Sequence, residues 1–328
     1  MGQEKMVNTI AAKASEVIIG IDISKAHLDA FLHPNGVTTQ FRNDKSGRAK
    51  LIAWARIIGP ARIIFEATGA YHRGLEMALS KASLSAVKIN PLQARRFAQA
   101  TGKRVKTDEV DAAMLVRFAV SLLPDITPAR DQTIDTLTEL LVARRALVKD
   151  RTAALNRAKT LTLPLLKRQS QQHLKQIDAQ IKAIDLEQMA IVATDTRLQA
   201  RLDILVSIPG LGVVTALALL ISMPELGSMD AKHAASLAGL APVTRQSGQW
   251  RGKSFIQGGR ATVRQAIYMP ALVAIRFNPD LKAKYLSLRA AGKPAKVAII
   301  AIMRKVIITA NALLRDHRMW TARPRAAA

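Results

Sequence analysis

Val17-Ile18-Ile19-Gly20-Ile21-Asp22-Ile23 is the stretch whose reading decides the fold. Branching at Cβ crowds a helical turn and suits a pleated strand, and the unbroken apolar run suits one buried on both faces. A carboxylate inside such a strand is costly to bury without a partner, so Asp22 calls for an explanation in chemistry. Working outward, His27 to Leu32 and Val37 to Phe41 are predicted as short strands separated by the turn signal Pro34-Asn35-Gly36. Lys45 to Ile58 reads as a helix and Arg62-Ile63-Ile64-Phe65-Glu66 as a second buried strand. A helix follows from about His72, then a strand over Ala86 to Asn90 stopped by Pro91, then helices to about Leu123. A β-meander followed by alternating strands and helices predicts an α/β domain over residues 16–128, with residues 1–15 as a flexible tail.

The texture changes at Pro124 and Pro128. Thr133 to Thr162 and Leu165 to Leu205 are rich in Leu, Ala, Gln, Lys and Arg, with apolar residues at three- and four-residue spacing. That pattern predicts a long helical hairpin or coiled-coil arm over 129–205, acting either as a spacer or as an oligomerisation arm. Residues 206–328 read as an all-α domain.

Charge narrows the partner. Lys and Arg total 49 against 24 Asp and Glu, a formal net charge of +25. Between Pro242 and Lys305 there are thirteen Lys/Arg and one acid, Asp280. A solvated helix face mixes both signs, whereas this bias suits a phosphate-binding surface, so nucleic acid is the expected partner. Cysteine is absent, which excludes disulfides and thiolate chemistry, and the six histidines form no pair at metal-ligand spacing. Any metal must therefore sit on oxygen, which points to Mg²⁺ or Mn²⁺. No uninterrupted apolar run reaches bilayer length, the best being Val213 to Met223, and the N-terminus lacks the apolar core of a signal peptide. The expectation is a cytoplasmic protein with no membrane partner.

Four carboxylates stand out. Asp22 lies in the first buried strand; Glu66 ends the second, just before Ala67-Thr68-Gly69, where α/β sheets place their sites. Asp108 and Asp111, at i and i+3, share one face of a helix start, although Asp108 alone would serve as a cap. Cutting a phosphodiester with two metal ions needs such a set. Farther on, Ile208-Pro209-Gly210-Leu211-Gly212 before a helix reads either as a helix-hairpin-helix turn, with Gly210 and Gly212 letting backbone N–H groups approach a phosphate, or as a plain glycine-rich helix stop.

The blocks Gly20-Ile21-Asp22-Ile23-Ser24-Lys25, Phe65-Glu66-Ala67-Thr68-Gly69-Ala70-Tyr71 and Lys106-Thr107-Asp108-Glu109-Val110-Asp111-Ala112 resemble the three acidic blocks of the DEDD insertion-sequence transposases, the bridge-RNA-guided serine recombinases. The resemblance implies a RuvC-like, ribonuclease-H-like N-terminal domain and maps that family's four acids onto Asp22, Glu66, Asp108 and Asp111. Ala238-Gly239-Leu240-Ala241-Pro242, Gln246-Ser247-Gly248-Gln249-Trp250-Arg251-Gly252-Lys253, Ile256-Gln257-Gly258-Gly259-Arg260, Arg264 and Tyr268-Met269-Pro270-Ala271 resemble its second conserved domain. The likeness runs from about Val17 to about Leu314.

A Ser-Gly pair by itself is usually a turn; the resemblance makes Ser247 the nucleophile of a covalent phosphoserine intermediate. Arg251, Lys253, Arg260 and Arg264 are candidate phosphate-binding groups beside it. The resemblance further implies donor and target DNA, a structured guide RNA and a tetramer. Two other classes stay open: a metal-dependent hydrolytic Holliday-junction resolvase or nuclease, which needs the acids but not Ser247, and a non-enzymatic architectural nucleic-acid binder. Tyrosine-recombinase chemistry fits poorly, since Tyr71, Tyr268 and Tyr285 lack the Arg/His company it requires.

Overall fold

The strand at residue 18 takes the central place its apolar run predicts. The computed structural model describes residues 16–67, 69, 71–101, 108–126, 131–244, 246–252 and 254–322, except for the side chains of 108–110, 250 and 251. The tail expected at 1–15 lies outside the described residues. The chain divides into two compact units, Met1–Asp131 and Gln132–Ala328.

In the first unit β1 (Ile18–Ile23), β2 (His27–His33) and β3 (Val37–Arg42) form an antiparallel meander. Strands β4 (Arg62–Glu66) and β5 (Ala86–Ile89) add in parallel on the other side of β1, giving the order β3-β2-β1-β4-β5. Between them run α1 (Lys45–Ile58) and α2 (Arg73–Lys81); after β5 come α3 (Pro91–Ala100) and α4 (Asp108–Leu122). Side chains alternate across the pleat. Ile19, Ile21, Ile23, Leu28, Ile63 and Phe65 bury against Leu51 and Ala55 of α1 and Leu75 and Leu79 of α2. Ile18, Ile64, Val87 and Ile89 bury against Ala94 of α3 and Leu115, Val116 and Ala119 of α4. Local chemistry sets the helix ends: Asp44 caps α1 by accepting the Gly47 N–H at 2.8 Å, and Asn90 caps α3 by accepting the Leu92 N–H at 2.8 Å.

The second unit opens with a hairpin of two long helices, α5 (Gln132–Ala158) and α6 (Pro164–Ala193). Arg144 pairs with Asp185 and Arg151 with Asp178 across it. The expected single helix to Leu205 is broken: α7 (Thr196–Val206) starts afresh at Asp195, whose carboxylate accepts the Leu198 N–H at 3.0 Å. Then follow α8 (Val213–Ser222), α9 (Ala231–Leu237), the short strands β6 (Pro242–Val243), β7 (Gln246–Ser247), β8 (Trp250–Arg251) and β9 (Phe255–Ile256), and the helices α10 (Ala261–Phe277), α11 (Pro279–Ala290) and α12 (Ala295–Arg315). One core joins Leu137 and Leu141 of α5 and Val192 of α6 to the apolar faces of the helices from α7 onward.

The expectation about bilayer-length segments needs one correction. Helix α12 is long and apolar enough to cross a membrane by length and composition. Basic residues at 296, 304 and 305 interrupt its apolar run, so no unbroken apolar stretch of that length is present. Its Ile302, Val306, Ile307 and Ala310 are fully buried, so its apolar face belongs to the core of the unit.

Candidate active site

Register brings the two strand-borne acids together. Ile21 of β1 is paired with Phe65 of the parallel strand β4, so Asp22 and Glu66 follow as neighbours one step farther along. Ile21 and Phe65 point into the α1/α2 core; by alternation both carboxylates stand on the α4 face, at the carboxyl ends of their strands.

Helix α4 approaches that face at Gly20. A Cβ on Gly20 would run into the Ala112 carbonyl and stand 2.7 Å from Val116 Cγ2, so glycine is what lets the helix lie this close to β1. Asp111 precedes Ala112 and is partly buried. Asp108 opens α4 one turn earlier, and its side chain lies outside the described residues. Ala112 also lines a cavity of about 260 Å³ with Asp29, Ala30 and Gln40. Asp29 is the carboxylate that sequence reasoning missed. It is paired with Asp22 across β1 and β2, and its carboxylate accepts the Gln40 amide at 2.7 Å. Its signal was available, because residues 22 and 29 are symmetric about the tight turn between the two strands. Ser24 belongs to that turn, its hydroxyl donating to the His27 carbonyl at 3.1 Å.

The loop after Glu66 is held at both ends. The Ala67 N–H donates to the Ile89 carbonyl at 3.1 Å. At the far end, His72 stacks toward Phe65 with 6.3 Å between ring centroids and lies 3.6 Å from Glu76, which is paired with Lys88 of β5 at 2.6 Å. His72 and Glu76 are buried, so this trio fixes where α2 begins. Among the described residues, no three His, Cys, Asp or Glu side chains form a group that could hold a metal ion. The four candidate acids are all carboxylates, the chemistry that a hard divalent cation prefers, and the Asp108 side chain lies outside the described residues.

Ser247 is exposed, on a two-stage antiparallel ribbon. Pro242 and Val243 pair with Ile256 and Phe255; beyond them Gln246 pairs with Arg251 and Ser247 with Trp250. Gly248 and Gln249 form the two-residue turn, so Ser247 is the last paired residue before the tip. The root of the ribbon is locked. A Cβ on Gly259 would collide with the Gly239 backbone, and the Arg260 N–H donates to the Leu237 carbonyl at 2.7 Å.

Of the candidate phosphate-binding groups near Ser247, Arg260 donates to both Glu225 carboxylate oxygens at 2.8 and 2.7 Å and to the Ser222 carbonyl at 2.6 Å. Burial pushes the Glu225 carboxyl up, but the hydrogen bonds and charge of the Arg260 guanidinium, together with a hydrogen bond from the Glu225 backbone, outweigh it and hold the group below its ordinary value. Arg264 donates to the Gly258 carbonyl at 2.5 Å. Both arginines thus brace the ribbon root. Arg251 sits on β8 with its side chain outside the described residues, and Lys253 lies outside them altogether. At the other glycine motif, Gly210 has φ 101° and packs on α10, where a Cβ would sit 2.8 Å from Ala274 N. Gly212 caps α8 with open space where a Cβ would point.

Comparison with known proteins assigns the class. Residues 19–165 match a family model of the DEDD insertion-sequence type described as "Transposase", and residues 202–286 match "Transposase IS116/IS110/IS902 family". The chain belongs to this family of insertion-sequence transposases, which are DNA recombinases. Among its relatives are the pilin gene-inverting proteins of Moraxella lacunata, 32% identical over 94% of this chain and 99% of the relative, and of Moraxella bovis, 31% identical over the same shares. An uncharacterized 42 kDa protein of insertion element IS900 from Mycobacterium paratuberculosis is 33% identical over 43% of this chain and 37% of its own. Among solved structures, T. thermophilus RuvC in complex with a Holliday junction substrate matches 34% of this chain and 99% of its own at 12% identity, with a TM-score of 0.25.

Proposed function

We propose that this transposase cuts and rejoins DNA through a covalent phosphoserine at Ser247, with Asp22, Glu66, Asp108 and Asp111 holding divalent cations on a ribonuclease-H-like sheet. The observation that carries the reading is the presentation of Ser247: an exposed hydroxyl beside the tip of a β-ribbon whose root is locked. Such a hydroxyl can enter a DNA groove without moving the core. In the reaction, Ser247 Oγ forms a bond to phosphorus as the bond from phosphorus to a deoxyribose oxygen breaks. The serine proton is taken up by a general base or solvent, and the leaving oxygen gains one. The new ester conserves the bond energy, so reversal by a second DNA end reseals the strand without ATP.

The sheet order β3-β2-β1-β4-β5 and the shared α4 face of Asp22 and Glu66 support the acid half of the site. Bound Mg²⁺ or Mn²⁺ would activate the nucleophile and stabilise charge on the leaving oxygen. The carboxylates' own part is to fix those ions. Gly212 at the N-terminus of α8, together with Arg251 and Lys253, is assigned to DNA phosphates. From the resemblance we further assign a structured guide RNA, donor and target DNA and assembly as a tetramer, and from the composition a cytoplasmic location.

Ser247→Ala tests the covalent step. Strand exchange is expected to be abolished, with DNA affinity within about twofold of the parent and no protein–DNA adduct in denaturing gels. Retained nicking without exchange would instead support the runner-up, a metal-dependent hydrolytic resolvase, which the carboxylate face alone favours. Sequencing co-purified RNA tests the guide; activity in a preparation free of RNA would remove it.

A further inference from the structure

We infer that Asn43 is a positioning residue that ties the Asp22 loop to the Glu66 loop, and that Arg48 sets its orientation. Asn43 follows β3 and carries none of the acids. Its side-chain amide Nδ2 donates to two carbonyls: Ser24 at 2.9 Å, two residues beyond Asp22, and Tyr71 at 3.2 Å, five residues beyond Glu66. One NH₂ group has two hydrogens, and here each serves one loop. The amide orientation is set by Arg48, whose Nη1 donates to Asn43 Oδ1 at 3.0 Å and to the Asn43 carbonyl at 3.1 Å. The backbone is pinned as well, since the Asn43 N–H donates to the Ala26 carbonyl at 2.8 Å. Arg48 rests against Gly74 at the start of α2, where a Cβ would stand 2.9 Å from its Cζ.

Parallel pairing sets Asp22 beside Glu66 only as far as the strands run. The β1–β4 register ends at Ile21 and Phe65, and beyond it the Asn43 amide crosses between the two loops. Two carboxylates that must hold the same ions need their separation fixed, and outer groups that orient ligands typically change metal affinity or activity by about 10- to 100-fold when removed. A short side chain with two donors and one acceptor meets this requirement; neither Asp nor Ser does.

The inference rests on the assignment of Asp22 and Glu66 as metal-holding acids. Asn43→Asp is the sharp probe. It keeps the shape and the Arg48 contact but points an acceptor at two carbonyl oxygens. With full-length protein and Mg²⁺ as the varied ion, the half-saturating Mg²⁺ for strand cleavage is expected to rise about tenfold or more, with DNA affinity within about twofold. Without metal, hydrogen exchange of amides from Ala67 to His72 is expected to accelerate, with the unfolding midpoint close to the parent's. Arg48→Met, which removes the orienting donor, is expected to shift both readouts the same way, and it serves if Asn43→Asp does not fold. Glu66→Gln is run in parallel. If it leaves cleavage intact, the acid assignment falls; if it abolishes cleavage while Asn43→Asp and Arg48→Met leave metal dependence and exchange unchanged, the bridge falls.

Discussion

Gly20 and Asn43 show how single residues place a site they do not join. Gly20 is an absence of side chain at the point where α4 crosses β1, and the helix that carries Asp108 and Asp111 lies at that crossing. Gly20→Ala inserts a methyl group against the Ala112 carbonyl and the Val116 side chain, so the helix must move away. Overpacking of this kind costs about 1–3 kcal/mol. We expect the unfolding midpoint of the first unit to fall by several degrees and metal-dependent cleavage to fall with it. A midpoint equal to the parent's would show that α4 does not depend on this contact.

At the scale of elements, the Ser247 ribbon is only as well placed as its root. Two paired residues on each side cannot hold a hairpin in water; the locking comes from Gly239 against Gly259 and from Arg260 on Glu225. The Glu225 carboxyl is held below its ordinary value, so the pair contributes stability that is complete above that value and is lost as pH falls through the lowered one. Comparing the parent with Glu225→Gln by thermal unfolding should show the parent ahead at neutral pH and the gap closing in acid, below the ordinary value of 4.5. Both side chains are about a third or more exposed, so a modest gap is expected. A gap that is constant with pH would rule out the ion pair as its source.

The same elements show what was legible. Helix α1 and strand β4 run over the residues their patterns predict, because apolar spacing and the Asp44 and Gly59 caps agree locally. The break before α7 had its sign in Asp195, a capping residue inside a helical pattern, but the Leu/Ala texture on either side masked it. The ribbon around Ser247 was hidden for a different reason. Its strands are two residues long, so no period can appear.

For the whole molecule, an excess of 25 positive charges repels itself until a polyanion arrives. Binding should therefore be dominated by counterion release: between 50 and 200 mM salt, DNA affinity is expected to fall by about a thousandfold or more. A fall of less than about tenfold, measured by titration across that range, would mean that few phosphates are contacted.

The sequence by itself determined the class of partner, the α/β character of the first unit and the helical character of the second, and it singled out the four acids as candidates. These follow from charge, local periodicity and the order of short motifs. Only the tertiary structure decided that Asp22 and Glu66 share a face, that Asp29 stands opposite Asp22, that Asn43 spans two loops, and that Arg260 and Arg264 brace the ribbon. Each of these depends on strand register or on a contact between residues distant in the chain, and no local pattern encodes which distant residue a side chain will meet.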